Sequence, residues 1–337
     1  MEARQIAWLF PGQGSQVVGM GKDLLETCAA AREAFARADS ALSSYADPQP
    51  LSRLILEGPE DQLTLTANAQ PALVTMSAAV LAAMRERYPS LPAPRFAAGH
   101  SLGEYSALVA AGALSLEDAV RIVRERGLAM QGAVPPGAGA MAAIVGVDAS
   151  KLEAICREVT SEHDAEGTPY GIVSCANFNA PGQIVIAGAA RAVARVSERA
   201  GEEKGKAIPL KVSAPFHCAL MAPAAAILKR ELDKVDVKPL AFPVVANVDA
   251  RPNTDPERVK ELLVRQVDGA VRWEGAMRLM HMEGITHAIE IGPGKVLAGL
   301  GKRIAKEMKI FSVGDAASLD GLAEFLELVR PPPPPAS

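Results

Sequence analysis

Apolar positions recur along this chain with two periods, and the switches between them mark its elements. Ile6-Ala7-Trp8-Leu9-Phe10 is an unbroken apolar run of strand length, and it stops at Pro11-Gly12-Gln13-Gly14-Ser15-Gln16. Residues 23–46 and 59–88 carry apolar residues at helical spacing, separated by Asp47-Pro48-Gln49-Pro50 and closed by Pro89. Gln70-Pro71-Ala72-Leu73 is expected to place its proline in the first turn of a helix, where a missing N–H is tolerated. A second strand end, Phe96-Ala97-Ala98, runs into Gly99-His100-Ser101-Leu102-Gly103. The alanine- and leucine-rich stretch 102–111 predicts a helix directly after it. Ser115-Leu116-Glu117-Asp118 has the form of a helix cap, and the helix it opens extends to about Gln131. Arg121, Arg124 and Arg126 lie on that helix and read at this level as a solvated face.

At Val134-Pro135-Pro136-Gly137-Ala138-Gly139 the rhythm changes. Strand 141–145, helix 150–160, strands 172–177 and 183–187, helix 190–200 and strand 207–210 follow in the β-α-β-β-α-β order of a ferredoxin-like module. The expected architecture is therefore α/β. Residues 1–134 and 207–330 form a large subdomain, residues 135–206 a small inserted one, and 331–337 a proline-rich tail read as disordered or as a linker. A cleft between two lobes is a common place for a substrate.

Composition narrows the function. The 337 residues are 49% hydrophobic and only 4% aromatic, so the core must be built mainly from alanine, valine, leucine and isoleucine. A formal net charge of −4 without a lysine- or arginine-rich block gives no case for nucleic acid as a partner. Cys28, Cys156, Cys175 and Cys218 form no C-x-x-C pair and have no companion histidines at zinc spacing, so no metal is expected. The N-terminus lacks the long apolar region of a signal peptide, and no run of about twenty apolar residues offers a membrane span. The expectation is a cytosolic protein with no membrane partner.

Candidate chemistry begins at Ser101. Gly99 and Gly103 bracket it at the spacing of a nucleophile elbow, and the helix that follows brings unpaired N–H groups beside the serine oxygen. The loop with Gly12 and Gly14 is neither a Walker loop, lacking the Gly-Lys-Ser/Thr ending, nor a dinucleotide loop, having Val17 where a third glycine belongs. His217, in Val212-Ser213-Ala214-Pro215-Phe216-His217-Cys218-Ala219-Leu220-Met221, sits between a proline turn and a helix, a placement that suits either a base or a packed cap residue. His163, His281 and His287 read as structural, and His100 as a support for the turn.

Six motifs then stand in one order: Phe10-Pro11-Gly12-Gln13-Gly14-Ser15-Gln16, Gly99-His100-Ser101-Leu102-Gly103-Glu104-Tyr105, Gly139-Ala140-Met141-Ala142-Ala143-Ile144, Asn177-Phe178-Asn179-Ala180-Pro181-Gly182-Gln183, Pro215-Phe216-His217, and Glu290-Ile291-Gly292-Pro293-Gly294-Lys295-Val296-Leu297. In these the chain resembles the malonyl-CoA:acyl carrier protein transacylases of bacterial fatty-acid synthesis and the acyltransferase domains of polyketide synthases, from residue 6 to about 305. The resemblance implies an α/β-hydrolase-like core with a ferredoxin-like insertion. It implies a ping-pong transfer of malonyl from malonyl-CoA to the phosphopantetheine thiol of acyl carrier protein, with no cofactor. By the same match Ser101 is the nucleophile, His217 its base, and Gln266 the carbonyl acceptor for the other imidazole nitrogen. The N–H groups of Gln13 and Leu102 would bind the oxyanion, Arg126 the malonyl carboxylate, and Asn177 would line the pantetheine channel. Phe216 would favour malonyl over methylmalonyl. Lys302, Arg303 and Lys306 are either a docking patch for an acidic carrier protein or a solvated face. A trans-acting polyketide acyltransferase and a serine hydrolase or thioesterase are the alternatives, and an inactive scaffold is disfavoured by the presence of Ser101, His217, Arg126 and Gln266.

Overall fold

In the computed structural model, which describes residues 6–329, the opening apolar run lies inside a sheet. The proline-rich tail expected at 331–337 lies outside the described residues. The strands are β1 (Ile6–Phe10), β2 (Phe96–Gly99), β3 (Gly139–Val145), β4 (Val173–Ala180), β5 (Gln183–Ala189), β6 (Lys206–Pro209), β7 (Val244–Val245), β8 (Pro252–Asn253), β9 (His287–Ile291) and β10 (Lys309–Val313).

The first sheet has the order β10-β9-β1-β2-β7-β8, parallel except at the short β7–β8 edge. Every residue of β1 and β9 is buried, as expected where helices cover both faces of a parallel sheet. Alternate side chains of β1 enter different cores. Ile6, Trp8 and Phe10 join Leu73, Val80 and Leu108, while Ala7 and Leu9 join Trp273, Met277 and Leu297 on the other face. The second sheet, in the order β4-β5-β3-β6, is antiparallel. The helices Ala149–Ser161 and Ala190–Glu202 pack on it around Ile144, Leu152, Ile155, Val159, Ile186 and Val196. It meets the segment between the helices Pro256–Asp268 and Trp273–Met282 through Phe178 N–H to Val271 O (2.9 Å) and Val271 N–H to Ala176 O (2.8 Å).

Several boundaries differ from the sequence reading. The helix expected over 23–46 breaks into Lys22–Thr27 and Ala29–Leu42, because Cys28 is extended and its Sγ caps the second helix by accepting from Ala31 N–H at 3.4 Å. The stretch 59–88 divides at Leu65 into Glu60–Thr64 and Thr66–Arg87, and a helix not read from the sequence, Leu51–Glu57, precedes them. Pro71 lies inside Thr66–Arg87, beyond its first turn. Its missing N–H frees the Ala67 carbonyl, which accepts instead from Arg124 Nη1 at 3.0 Å. Arg124 and Arg126 are buried rather than solvated; Arg121 alone of the three is solvated, beside Asp118. Thr66–Arg87 is long and apolar enough to cross a membrane by length and composition alone, but most of it is buried inside the protein as a core helix.

Candidate active site

The turn after β2 is built around close backbone contact. A Cβ on Gly99 would meet the Gly103 carbonyl at 1.9 Å, and one on Gly103 would meet Phe10 O at 2.1 Å, so only glycine fits either place. Between them Ser101 has φ 50, a left-handed conformation that costs a non-glycine residue about 1–3 kcal/mol. Asn247, two residues after β7, holds the turn in this state. Its Oδ1 accepts from Ser101 N–H at 2.6 Å and its Nδ2 donates to Gly99 O at 2.7 Å. The helix Gly103–Ala110 then starts at once, with Glu104 N–H donating to Ser101 O at 3.1 Å.

His217 arrives from the loop after β6, also left-handed at φ 60. Its Nε2 is 2.6 Å from Ser101 Oγ and its Nδ1 is 2.8 Å from the main-chain carbonyl of Gln266. A carbonyl can only accept, so Nδ1 carries the proton and the Nε2 lone pair faces the serine hydroxyl. Burial, reinforced by the Arg126 guanidinium, pushes His217 down to about 3, and the imidazole is neutral.

Arg126 is 1% exposed. Its Nη1 donates to Gln70 Oε1 at 2.7 Å, and its Nη2 to Gln266 Oε1 at 2.9 Å and to Ser101 Oγ at 3.2 Å, with the guanidinium 5.5 Å from the Tyr105 ring centroid. Among the described residues no carboxylate forms an ion pair with it, Glu104 being reached only through Gln266, so an anion arriving beside Ser101 would meet a cation without a direct counter-ion. Gln266 is held by its amide nitrogen, which donates to Ser101 O and to Glu104 Oε2, both at 2.8 Å. Glu104 also accepts from Asn247 N–H at 3.0 Å, and burial raises its carboxyl to about 7.

A cavity of about 510 Å³ opens on this cluster, lined by Gln13, His100, Ser101, Asn177, Phe216 and His217 among others, with Met141 of β3 on the far wall. The expected residues are thus brought together. Ser101, His217, Arg126 and Gln266 are linked by hydrogen bonds, and Gln13, Asn177 and Phe216 line the space in front of them. Leu102 is fully buried beside Ser101. Among the described residues neither the Gln13 nor the Leu102 N–H donates to another group. The Gln266 carbonyl that accepts from His217 Nδ1 is the main-chain one, its side chain being committed to Arg126 and Glu104. Lys302, Arg303 and Lys306 are all exposed, and Arg303 donates to Pro181 O at 3.2 Å and to Gln183 Oε1. His100 does support its surroundings, with Nε2 2.8 Å from Asn179 Oδ1.

Asn247, Glu104, Gln70 and Thr66 were given no role from the sequence. For Asn247 a signal existed, since a polar residue directly after the apolar run Val244-Val245-Ala246 stands where parallel strands present ligand-facing groups.

A family model described as an acyl transferase domain matches residues 7–319. The chain is 50% identical over 317 residues to the malonyl CoA-acyl carrier protein transacylase of Bacillus subtilis (strain 168), covering 94% of this chain and 95% of that protein. It is 43% identical over 324 residues to the enzyme of the same name from Escherichia coli (strain K12), covering 95% and 99%. Among solved structures, the acyl-carrier-protein S-malonyltransferase of Burkholderia pseudomallei 1710b superposes with a TM-score of 0.87 at 44% identity, covering 95% of this chain and 99% of that one. A malonyl-transacylase in complex with its type II PKS acyl-carrier protein superposes with a TM-score of 0.88 at 41% identity and the same coverage. The protein belongs to the acyl transferase domain family, in which it is similar to the malonyl CoA-acyl carrier protein transacylases of Bacillus subtilis and Escherichia coli.

Proposed function

We propose that this protein transfers the malonyl group of malonyl-CoA to the phosphopantetheine thiol of an acyl carrier protein through a malonyl-Ser101 intermediate. The observation that carries the reading is the buried guanidinium of Arg126, which among the described residues forms no ion pair with a carboxylate and lies 3.2 Å from Ser101 Oγ. It suits an acyl group that ends in a carboxylate.

Ser101 Oγ attacks the thioester carbonyl as its proton passes to His217 Nε2. The tetrahedral oxyanion takes the N–H groups of Gln13 and Leu102. The C–S bond then breaks, and CoA leaves as the thiol with the proton held by His217. In the second half the carrier thiol gives its proton to His217 and attacks the acyl-serine, and Ser101 leaves protonated. Exchange of one thioester for another needs neither metal nor cofactor. A hydrolase is less well supported, because the partner of His217 Nδ1 is a main-chain carbonyl rather than a buried carboxylate.

The fold suits this chemistry as an α/β-hydrolase-like subdomain, 1–134 and 207–330, carrying a ferredoxin-like one at 135–206. The β4-β5-β3-β6 strand order and its two helices support the second assignment. In this reading Met141 and Asn177 of the smaller unit cover the acyl-serine against water, Asn177 lines the pantetheine channel, and Phe216 disfavours methylmalonyl, a discrimination of about 1–3 kcal/mol for one methyl. The enzyme works in the cytosol.

Intact-mass measurement of the protein mixed with malonyl-CoA, then with holo acyl carrier protein, tests the proposal. A malonyl adduct appears, moves to the carrier, and is absent in Ser101→Ala. An adduct lost to water with carrier present would instead assign a hydrolase.

A further inference from the structure

The first turn of the helix Thr66–Arg87 is clamped from the side facing away from the cavity. Arg124 holds the carbonyl of Ala67 that Pro71 leaves free, and the same guanidinium donates to Asn68 Oδ1 and pairs with Asp47. One turn beyond Arg124 on its own helix, Leu116–Gly132, a Cβ on Gly127 would meet Ala67 Cα at 2.6 Å and Thr66 O at 2.8 Å, so the two helices touch backbone to backbone. Arg124 is 8% exposed. A buried cation costs several kcal/mol in desolvation unless it is fully partnered, which makes this a demanding way to fix one helical turn.

What the clamp presents to the cavity is Thr66. Its Oγ1 accepts from Gln13 Nε2 at 3.3 Å and lies 3.2 Å from Ser213 Oγ. With the amide donating to it, the threonine proton is free to go to Ser213. Gln13 is exposed, and among the described residues its side chain has no other hydrogen-bond partner. Ser213 belongs to the segment that leads into His217. One hydroxyl therefore ties the loop of the oxyanion donor to the loop of the base.

We propose that Thr66 is a positioning residue for acyl transfer, setting the Gln13 loop against the His217 segment, and that the Arg124–Asp47 pair anchors it from behind. The proposal rests on the reading of the Gln13 N–H as an oxyanion donor. Oxyanion donors act only when held near the position where charge develops, and displacements of about 1 Å cost up to about 10²-fold in rate.

The test is single-turnover formation of the malonyl-enzyme in Thr66→Val, Thr66→Ser and Arg124→Met, alongside hydrogen exchange of the amides of residues 12–16. Thr66→Val keeps the shape and loses the hydroxyl; it acylates about tenfold more slowly at saturating malonyl-CoA, with KM and Tm little changed, and Thr66→Ser restores the rate. Arg124→Met lowers both Tm and rate, and adding Thr66→Val to it slows acylation no further, because both act through one contact. If Arg124→Met does not fold, Asp47→Asn takes its place. A Thr66→Val rate equal to wild type, or slowing that multiplies in the double variant, overturns the proposal. Exchange gives a readout independent of the chemistry: the loop amides exchange faster in Thr66→Val and normally in Thr66→Ser. Unchanged exchange overturns the proposal even if wild type transfers malonyl, whereas a wild type that forms no adduct removes the functional reading instead.

Discussion

The ground beneath Ser101 and the core of the unit around β3–β6 are both sealed from water, yet they are built by opposite rules. Around Ile144, Leu152, Ile155 and Val196 the interior is apolar, and the charges stay outside, where Arg199 pairs with Glu158 and Glu162. Beneath Ser101 the buried side chains include Glu104, Arg126, His217, Asn247 and Gln266, joined in one hydrogen-bonded set. An apolar interior needs only good packing, whereas a buried polar set is stable only when its members are satisfied together. The first arrangement stabilises a fold. The second fixes the direction of each polar atom, at a cost in stability and with a strained serine at its centre.

The sharpest break of this comparison is Arg126→Gln. Removing a buried charge that would pair with the malonyl carboxylate lowers kcat/KM for malonyl-CoA by about 10³-fold. Transfer from acetyl-CoA, which has no carboxylate, changes far less. The same variant alters the pH profile. Burial and Arg126 together hold His217 at about 3, so wild-type acylation shows no acid limb near 6.5, the ordinary histidine value. Without the cation the imidazole protonates more readily, and the limb moves to higher pH. An unmoved limb would mean that Arg126 does not act on the base.

Glu104 gives the next largest effect, on stability rather than rate. Its carboxyl is raised from 4.5 to about 7, with burial the main cause. The stability linked to it is fully present below about pH 4.5 and is lost as pH rises through 7, because ionisation then favours the unfolded chain. The loss amounts to about 3 kcal/mol. Glu104→Gln, unable to ionise, should show a smaller fall in urea midpoint between pH 5 and pH 8 than wild type. Equal falls in both proteins would place the titration elsewhere.

How much of this was legible in the sequence follows from how local each cause is. The β1 run, the Gly99–Gly103 brackets and the β-α-β-β-α-β order depend on neighbours in sequence, and all were readable. His217 was open on spacing alone, and its role, like those of Arg126 and Gln266, came from resemblance to a family. Glu104 and Asn247 act across 143 positions and Gln266 and Ser101 across 165, separations over which no periodicity carries information. Pro71 misled because a helix position that should be intolerable is rescued by Arg124 from another helix. Arg124 misled for the same reason, since an arginine looks solvated until its partners are known.

The smallest effect belongs to the other side of the comparison. Arg199 donates to Glu162 at 2.8 Å and Glu158 at 2.5 Å, and Glu158 is mostly exposed, its side chain 56% accessible. Arg199 and Glu162 are only half-buried, and pairs this close to water gain little Coulomb energy and lose side-chain freedom, so Arg199→Ala should destabilise the protein by less than about 1 kcal/mol. The loss should shrink further in molar salt, and malonyl transfer should be unchanged, since neither partner reaches the cavity. Urea midpoints at low and high salt, measured with the transfer rate, check all three. A loss of several kcal/mol that persisted in salt would show that this surface, like the ground beneath Ser101, depends on fixed polar partners, and the contrast between the two regions would fail.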